Sequence, residues 1–189
     1  HPPAARAVGD AMRYVFLRWR WLCRFDREAF RQRLHQHLSR WGIVYLALVL
    51  AAAWFHANCA IGLNASPSLP HRAFLIHKGA PPERGAYVAF RWHGGGPYAT
   101  GTTFVKVIAG LPGDVVAVQD RVFYVNGTPV GYAKTLSRHG EPLEPGPTGI
   151  LPAGRYYVRA PHPDSLDSRY RLTGWIAESQ IIGRAYALF

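Results

Sequence analysis

Charged residues are missing from one long stretch of this chain of 189 residues. No Asp, Glu, Lys or Arg occurs from Trp41 to His71, and residues 41–63 are apolar almost throughout. About 20 apolar residues suffice to cross the hydrocarbon core of a bilayer. The sequence therefore predicts a single transmembrane helix over residues 41–63, with a buried helix in a soluble core as the alternative.

Cysteine and acidic residues are also scarce. The two cysteines, Cys23 and Cys59, lie on opposite sides of most of the predicted span, so we expect no structural disulfide between them. Eleven acidic residues face 22 basic ones, which gives a net charge of +11. Because 49% of the residues are hydrophobic and only 17% are charged, the composition argues against an intrinsically disordered chain.

The basic residues are concentrated before the predicted span. Residues 1–40 contain nine Arg, no Lys and three acidic residues, a net charge of about +6. The positive-inside rule places this segment in the cytoplasm and everything after the span on the exported side. Arg alternates with Trp, Phe and Leu at helical spacing, which favours an amphipathic helix on anionic lipid. Nucleic acid is the alternative partner, but no nucleic-acid-binding motif supports it.

Residues 64–189 read as an all-β domain. Short runs of β-branched and aromatic residues alternate with Gly and Pro clusters, a pattern typical of strands joined by tight turns. The runs are "RAFLIH", "AYVAFRW", "TTFVKVIA", "DVVAVQ", "RVFYVNG", "RYYVRA" and "GWIA". Asn126-Gly127 is predicted to form a type I′ hairpin turn. The fold class is therefore mainly β, a sandwich or a partly open barrel behind one helix.

Lys106 is the unusual residue of this β region, because it interrupts the apolar run "FVKVIA". Strand alternation alone favours a lysine on the wet face of a half-buried strand. The alternative is a buried lysine, whose pKa burial can lower by as much as about 3–5 units. A neutral amine of this kind can remove the proton from a serine hydroxyl, which is otherwise a poor nucleophile.

Three separated segments together resemble the type I signal peptidase family of Ser-Lys serine proteases. "SPSLP" at residues 66–70 is similar to the nucleophile box of that family, and "KVIAGLPGD" at 106–114 is similar to its general-base box. "SLDSRY" at 165–170 resembles its C-terminal box, and the segments "ERGAYVAF" and "IIGRAYALF" extend the likeness. The resemblance implies a signal-peptidase-like β fold and peptidase activity without a metal or another cofactor.

The resemblance assigns the reacting groups. Ser68 matches the nucleophile and Lys106 the general base. The backbone N–H of Ser68 and the hydroxyl of Ser66 would hold the oxyanion, although Ser66 could instead be an ordinary turn residue. Pro67 and Pro70 restrict the backbone on both sides of Ser68, which would hold the nucleophile close to the membrane surface.

Supporting roles fall on the C-terminal box. Ser165 matches the residue that orients the lysine amine, and Asp167 and Arg169 match a supporting ion pair. The same segment could also be an ordinary polar turn. Asp114, at the end of "GLPGD", is predicted to stabilise a turn and to have no catalytic role.

Within the family, the short catalytic region resembles the TraF-type conjugal-transfer peptidases. This implies an inner-membrane enzyme with a periplasmic catalytic domain that matures a pilin precursor, and whose membrane-inserted substrate binds extended along the strands. Housekeeping processing of exported preproteins is the alternative within the family. Alternatives of other kinds are an inactive membrane-anchored binding or assembly protein, a self-cleaving repressor-type protease and a Ser-His-Asp hydrolase, for which no histidine stands out.

Overall fold

The computed structural model describes residues 27–64 and 68–188. Cys23, Ser66, Pro67 and the first 26 residues of the basic segment lie outside the described residues. Helix α1 spans Arg27–Asn58 and a 3₁₀ turn spans Glu178–Gln180. The strands are β1 (Cys59–Leu63), β2 (Ala73–Lys78), β3 (Tyr87–Arg91), β4 (Thr103–Gly110), β5 (Val115–Gln119), β6 (Val122–Val125), β7 (Thr128–Tyr132), β8 (Gly149–Ile150), β9 (Arg155–Arg159), β10 (Ile176–Ala177) and β11 (Ile181–Ala187).

Helix α1 is long and apolar enough to cross a membrane. It has 32 residues, and its most apolar 18-residue window has a mean hydropathy of 1.6 with none of its side chains buried. At 1.5 Å per residue the helix is about 48 Å long, which exceeds the hydrocarbon core of a bilayer. Residues 27–40, which the sequence assigned to a separate amphipathic segment, continue the same helix without a break.

The helix ends at Asn58 and does not reach Leu63, where the sequence placed the end of the span. Cys59–Leu63 instead form β1, whose residues pair with β2 from Cys59 opposite His77 to Leu63 opposite Ala73. The Nζ of Lys78 donates to the carbonyl of His56 at 2.6 Å and satisfies one of the last helical carbonyls. The expected boundary is wrong because "CAIGL" is apolar in either conformation, and only its pairing with β2 makes it a strand.

A seven-stranded antiparallel sheet forms the larger part of the β domain, in the order β1-β2-β11-β3-β4-β9-β10. Both of its faces are covered, because the neighbouring β3 residues Val88 and Ala89 belong to different core clusters. Val88 packs with Ile108 and other large side chains, and Ala89 packs with a cluster that contains Leu69. The central strands are therefore apolar on both sides, as a buried sheet requires.

A four-stranded antiparallel sheet, in the order β7-β6-β5-β8, forms the second layer. Its core cluster includes Tyr157 of β9, which joins the two sheets. Asn126 and Gly127 connect β6 to β7 with φ angles of 48° and 77°. The predicted type I′ turn is confirmed, since that turn needs positive φ at both central residues.

The mainly β class is confirmed by these two sheets. Six of the seven predicted strand runs correspond to β2, β3, β4, β5, β6 and β9, and the seventh, "GWIA", is reduced to the two-residue β10. The domain contains a cavity that is partly open to solvent, and its lining includes residues of β4 and of the segment that follows β9. This cavity contains the candidate site.

Candidate active site

Lys106 lies in the middle of β4, opposite Val88 of β3. Its side chain is buried, with 5% of the residue exposed, so the exposed position that strand alternation alone favours is wrong. Burial lowers the pKa of the Lys106 amine from 10.5 to about 8; nearby Asp167 opposes this shift and Arg169 adds to it. About a tenth of the amine is then neutral at pH 7, compared with a negligible fraction for an exposed lysine.

Ser165 holds the Lys106 amine in place. The Nζ of Lys106 donates to the Oγ of Ser165 at 2.6 Å, and both residues are buried. Ser165 is held by a turn in which its backbone N–H donates to the carbonyl of His162 at 3.1 Å. The backbone N–H of Asp164 donates to Nδ1 of the same histidine at 3.2 Å. The turn thereby fixes the oxygen to which the lysine points.

Asp167 and Arg169 form a buried two-point ion pair. Nε and Nη2 of Arg169 donate to Oδ1 and Oδ2 of Asp167 at 2.8 and 2.9 Å. The backbone N–H of Ala160 also donates to Oδ2, at 2.9 Å, and Nη1 of Arg169 donates to the carbonyl of Tyr132 at 3.0 Å. Because these charges are paired and hydrogen-bonded, they can be buried at tolerable cost.

Gly131 leaves the room that the Arg169 side chain needs. The glycine has a φ of 145°, and a Cβ atom there would lie 3.0 Å from Nη1 and 3.1 Å from Cδ of Arg169. A larger residue would push the guanidinium away from Asp167. β7 therefore contributes to the site both through this gap and through the carbonyl of Tyr132 that accepts from Arg169.

Ser68 lines the same cavity as Lys106 and Ser165 and is itself buried. The loop that carries Ser68 is closed by Asn64, whose Nδ2 donates to the carbonyl of His71 at 3.0 Å. The backbone N–H of Asn64 donates to the carbonyl of Arg72 at 2.8 Å. Sequence reasoning assigned no role to Asn64, although an Asx residue that opens a Pro-containing loop is itself a turn signal.

The cavity has a volume of about 390 Å³ and two kinds of wall. One kind is apolar or aromatic and consists of Leu63, Tyr98, Phe104, Val105 and Leu166. The other is polar, and includes Arg138, His139, His162 and Asp164. A cleft of this size, with apolar walls and a few polar groups that include a buried amine and a serine, is typical of a ligand-binding site.

Asp114 has the turn-forming role that the sequence predicts. Its carboxylate accepts from the backbone N–H of Leu111 at 2.6 Å and from Nδ2 of Asn126 at 2.7 Å. Nη2 of Arg84 forms an ion pair with Oδ2 of Asp114 at 2.7 Å. Asp114 does not line the cavity of Ser68 and Lys106, so it anchors the end of β4 to the β6–β7 hairpin.

A family model described as "Signal peptidase, peptidase S26" matches residues 34–189, which is most of the chain. The chain belongs to this signal peptidase family. The match includes all three boxes that the sequence singled out and much of helix α1. Family membership and the apolar helix together indicate that the chain is anchored to a membrane.

Two relatives show how far the likeness extends. Signal peptidase I T of Bacillus subtilis (strain 168) is 34% identical over 94 residues, which cover 46% of this chain and 48% of the relative. The chain thus spans about half the length of that relative. The crystal structure of a signal peptidase I from Enterococcus faecalis V583 matches with a TM-score of 0.37 and 22% identity, over 58% of this chain and 97% of the other.

The structure brings most of the predicted site residues into one region. Ser68, Lys106 and Ser165 line one cavity. Asp167 and Arg169 lie behind it, close enough to change the pKa of Lys106. In the described part of the chain, no three His, Cys, Asp or Glu side chains are placed to hold a metal ion.

Proposed function

We propose that the protein is a membrane-anchored serine endopeptidase that cleaves signal-peptide-like segments of precursor proteins, with Ser68 as the nucleophile and Lys106 as the general base. The observation that carries the proposal is the buried Lys106 amine, with a pKa of about 8, in the cavity that Ser68 lines. A serine needs an adjacent base to become a nucleophile, and a desolvated lysine can be that base.

The reaction proceeds through an acyl-enzyme. The Oγ of Ser68 attacks the scissile carbonyl while the neutral Lys106 amine takes the hydroxyl proton. When the C–N bond breaks, the Lys106 ammonium gives this proton to the leaving amine, and the new N-terminus departs. Lys106 then removes a proton from water, which attacks the ester carbonyl. The bond from Ser68 Oγ to the acyl carbon breaks, Lys106 returns the proton to Oγ, and the acyl product leaves as a carboxylic acid. Proton transfers of this kind are most efficient when the pKa of the base lies near the working pH.

Groups of the loop that carries Ser68 would stabilise the oxyanion of the transition state. We assign the two donors to the backbone N–H of Ser68 and the hydroxyl of Ser66, and the latter lies outside the described residues. Each well-placed donor of this kind contributes about 3–4 kcal/mol to the transition state. Ser165 keeps the Lys106 amine aimed into the cavity, and the Asp167–Arg169 pair supports the segment that carries Ser165.

Substrates that are membrane-inserted precursors fit the position of the site. Ser68 lies ten residues after the end of α1, so the nucleophile stays close to the membrane that anchors the chain. This proximity makes the encounter with an inserted substrate effectively intramolecular. The charge pattern supports an inner-membrane location with a cytoplasmic N-terminus, a periplasmic catalytic domain and anionic lipid at the Arg-rich segment.

The finer role that we propose is TraF-type maturation of a conjugative pilin or transfer-apparatus precursor. Its support is the "NASPSLP" form of the nucleophile box and the short catalytic region. Housekeeping processing of exported preproteins is the second candidate, and the likeness to signal peptidase I T of Bacillus subtilis favours it. The two roles differ in substrate and share the same chemistry.

The test is the mass of precursors incubated with the full-length protein in detergent micelles. One precursor is pilin-like and the other is an exported preprotein. We expect the wild type to shorten at least one of them and Ser68→Ala to leave both intact. Ser179→Ala replaces an exposed serine outside the cavity, so it should behave as wild type.

The outcomes separate the candidate functions. A shortened pilin precursor supports the TraF-type role, and a shortened preprotein supports the housekeeping role. Identical masses for wild type and Ser68→Ala would contradict the peptidase proposal. A biological role that survives Ser68→Ala in cells would favour an inactive binding or assembly protein.

A further inference from the structure

We propose that Arg138 makes this site select precursors that carry an acidic side chain close to the scissile bond. The inference rests on the proposed peptidase function and deepens it, because it concerns the chemical class of the substrate. Its basis is the polar wall of the cavity, where Arg138 lies beside the segment that holds Ser165.

The polar wall has an excess of positive charge. Asp164 is the one acidic residue among the described residues that line the cavity. Its carboxylate accepts from the amine of Lys134 and, at 2.8 Å, from Nε of Arg138, whose Nη2 lies 2.8 Å from the same carboxylate oxygen. Two cations therefore share one carboxylate, and the cluster keeps a charge of about +1 at neutral pH. His139 and His162 add further ring N–H donors to the same wall.

Arg138 has hydrogen-bonding capacity left for a substrate. A guanidinium carries five N–H donors in a planar fork, and Asp164 occupies only Nε and Nη2. Within the described residues, Nη1 of Arg138 has no hydrogen-bond partner. The side chain is 58% exposed, so a peptide in the cavity can reach it.

A tight turn presents Arg138 in a defined position. The backbone N–H of Ser137 donates to the carbonyl of Glu141 at 2.8 Å. The Oγ of Ser137 accepts from the backbone N–H groups of His139 and Glu141, both at 3.1 Å. Because the turn is closed at one end and tied to Asp164 at the other, little ordering is needed when a carboxylate binds.

The apolar part of the cavity lining explains why charge distinguishes substrates here. Leu63, Phe104 and Leu166 line the cavity and carry no charge, so they give no discrimination between substrates by charge. A carboxylate near Arg138 gains a charge-assisted hydrogen bond, whereas a substrate lysine is repelled by the net positive charge of the cluster. Since the site is partly open to water, we expect an advantage of about fivefold to tenfold for an acidic side chain over its amide.

The experiment compares signal-peptide-like peptides that differ at one residue, which is Glu, Gln or Lys. This residue is moved through the positions on either side of the scissile bond, and kcat/KM is measured with the full-length protein in detergent micelles. At one or more positions we expect kcat/KM to fall in the order Glu, Gln, Lys. In Arg138→Gln the Glu-to-Gln ratio should approach 1, and in Arg138→Glu the preference should pass to the Lys peptide.

Two further variants separate recognition by Arg138 from general charge effects. Arg138→Lys keeps the charge and loses the fork, so it should retain part of the Glu-to-Gln ratio. Arg171→Gln removes an arginine that is 76% exposed, pairs with Glu144 and lies outside the cavity. This control should keep the wild-type ratio. A ratio that falls equally in Arg171→Gln and Arg138→Gln would overturn the inference.

Binding to Ser68→Ala separates failure of this inference from failure of the proposed function. If the wild type cleaves the peptides without regard to charge, the inference is overturned and the peptidase function stands. If no peptide is cleaved, but fluorescent Glu peptides bind Ser68→Ala about fivefold more tightly than Gln peptides, the peptidase proposal fails and the charge selection stands. Equal binding in that case overturns both.

Discussion

Replacing Lys106 with methionine is expected to lower kcat/KM at least about 10³-fold, because the substitution removes the base that activates Ser68. The same substitution should raise the free energy of unfolding at pH 7 by about 1–2 kcal/mol. Burial lowers the pKa of Lys106 from 10.5 to about 8, and this shift corresponds to a cost of about 3 kcal/mol. The Ser165 hydroxyl left without its donor returns about 1–2 kcal/mol of that gain.

The pH dependence of stability gives this prediction its sign. Between pH 8 and 10.5 the unfolded chain holds the Lys106 proton more tightly than the folded protein does. The unfolded state therefore binds more protons, and the free energy of unfolding of the wild type rises with pH in this window. Lys106→Met should lose this rise. Denaturant unfolding at pH 7 and 10 measures it.

Lys78→Met is the matched control for Lys106→Met. Lys78 donates to the end of α1 and lies outside the cavity, so its replacement should leave kcat/KM within about twofold of wild type. A Lys106→Met protein that keeps most of its activity would contradict the assignment of the base. A Lys106→Met protein that is less stable than the wild type at pH 7 would contradict the burial of a costly charge at Lys106.

Replacing Arg169 with methionine is expected to destabilise the protein by about 3–5 kcal/mol, since it leaves the carboxylate of Asp167 buried without its partner. The double variant Asp167→Asn/Arg169→Met should recover much of this loss, because the amide can still accept from Ala160. Arg171→Met, at an exposed ion pair, should change stability by no more than about 0.5 kcal/mol. Denaturant midpoints for the three variants measure these effects.

Arg169→Met also has an expected effect on activity. The positive charge of Arg169 helps to lower the pKa of the Lys106 amine, so its removal should raise that pKa and move the pH–activity profile to higher pH. A loss of stability without a shift of the profile would mean that the ion pair has a structural role alone. No loss of stability would contradict its burial as a pair.

The strands that were predicted from the sequence are those with strong local signals. β4 and β9 combine β-branched or aromatic residues with Gly or Pro at their ends. The dipeptide Asn126-Gly127 is by itself a signal for a tight hairpin turn. β1 was not predicted, because an apolar run fits a helix and a strand equally well. Only the pairing of residues 59–63 with β2, a long-range interaction, decides between them.

The β5–β6 connection shows a turn without a sequence signal. Asp120 and Arg121 both have positive φ, 47° and 63°, which is unfavourable for residues with a side chain. The guanidinium of Arg121 donates to the carbonyls of Ala133 and Lys134, both at 2.6 Å, and of Leu143 at 2.9 Å. Tertiary contacts of this kind hold the turn, and a local pattern cannot reveal them.

The residues of the candidate site also fall into two groups, those that the sequence indicated and those that only the fold brings together. The resemblance named Lys106 and Ser165, but strand alternation favoured an exposed lysine, and burial became visible only when the residues around β4 were placed. Arg138 and Asp164 attracted no attention in the sequence, because 26 residues separate them and neither lies in a recognised box. A charge cluster formed by loops that are distant in the sequence can be identified only once the fold is known.

The titration of Lys106 itself is the most direct test of a neutral amine at the site. The chain has three lysines, Lys78, Lys106 and Lys134, so a lysine-labelled sample gives few side-chain ¹³Cε resonances, and Lys106→Met assigns one of them. We expect that resonance to titrate with a midpoint of about 8, and kcat/KM to rise with pH at the same midpoint. A midpoint near 10.5 for the Lys106 resonance, or activity that does not rise with pH, would contradict the account.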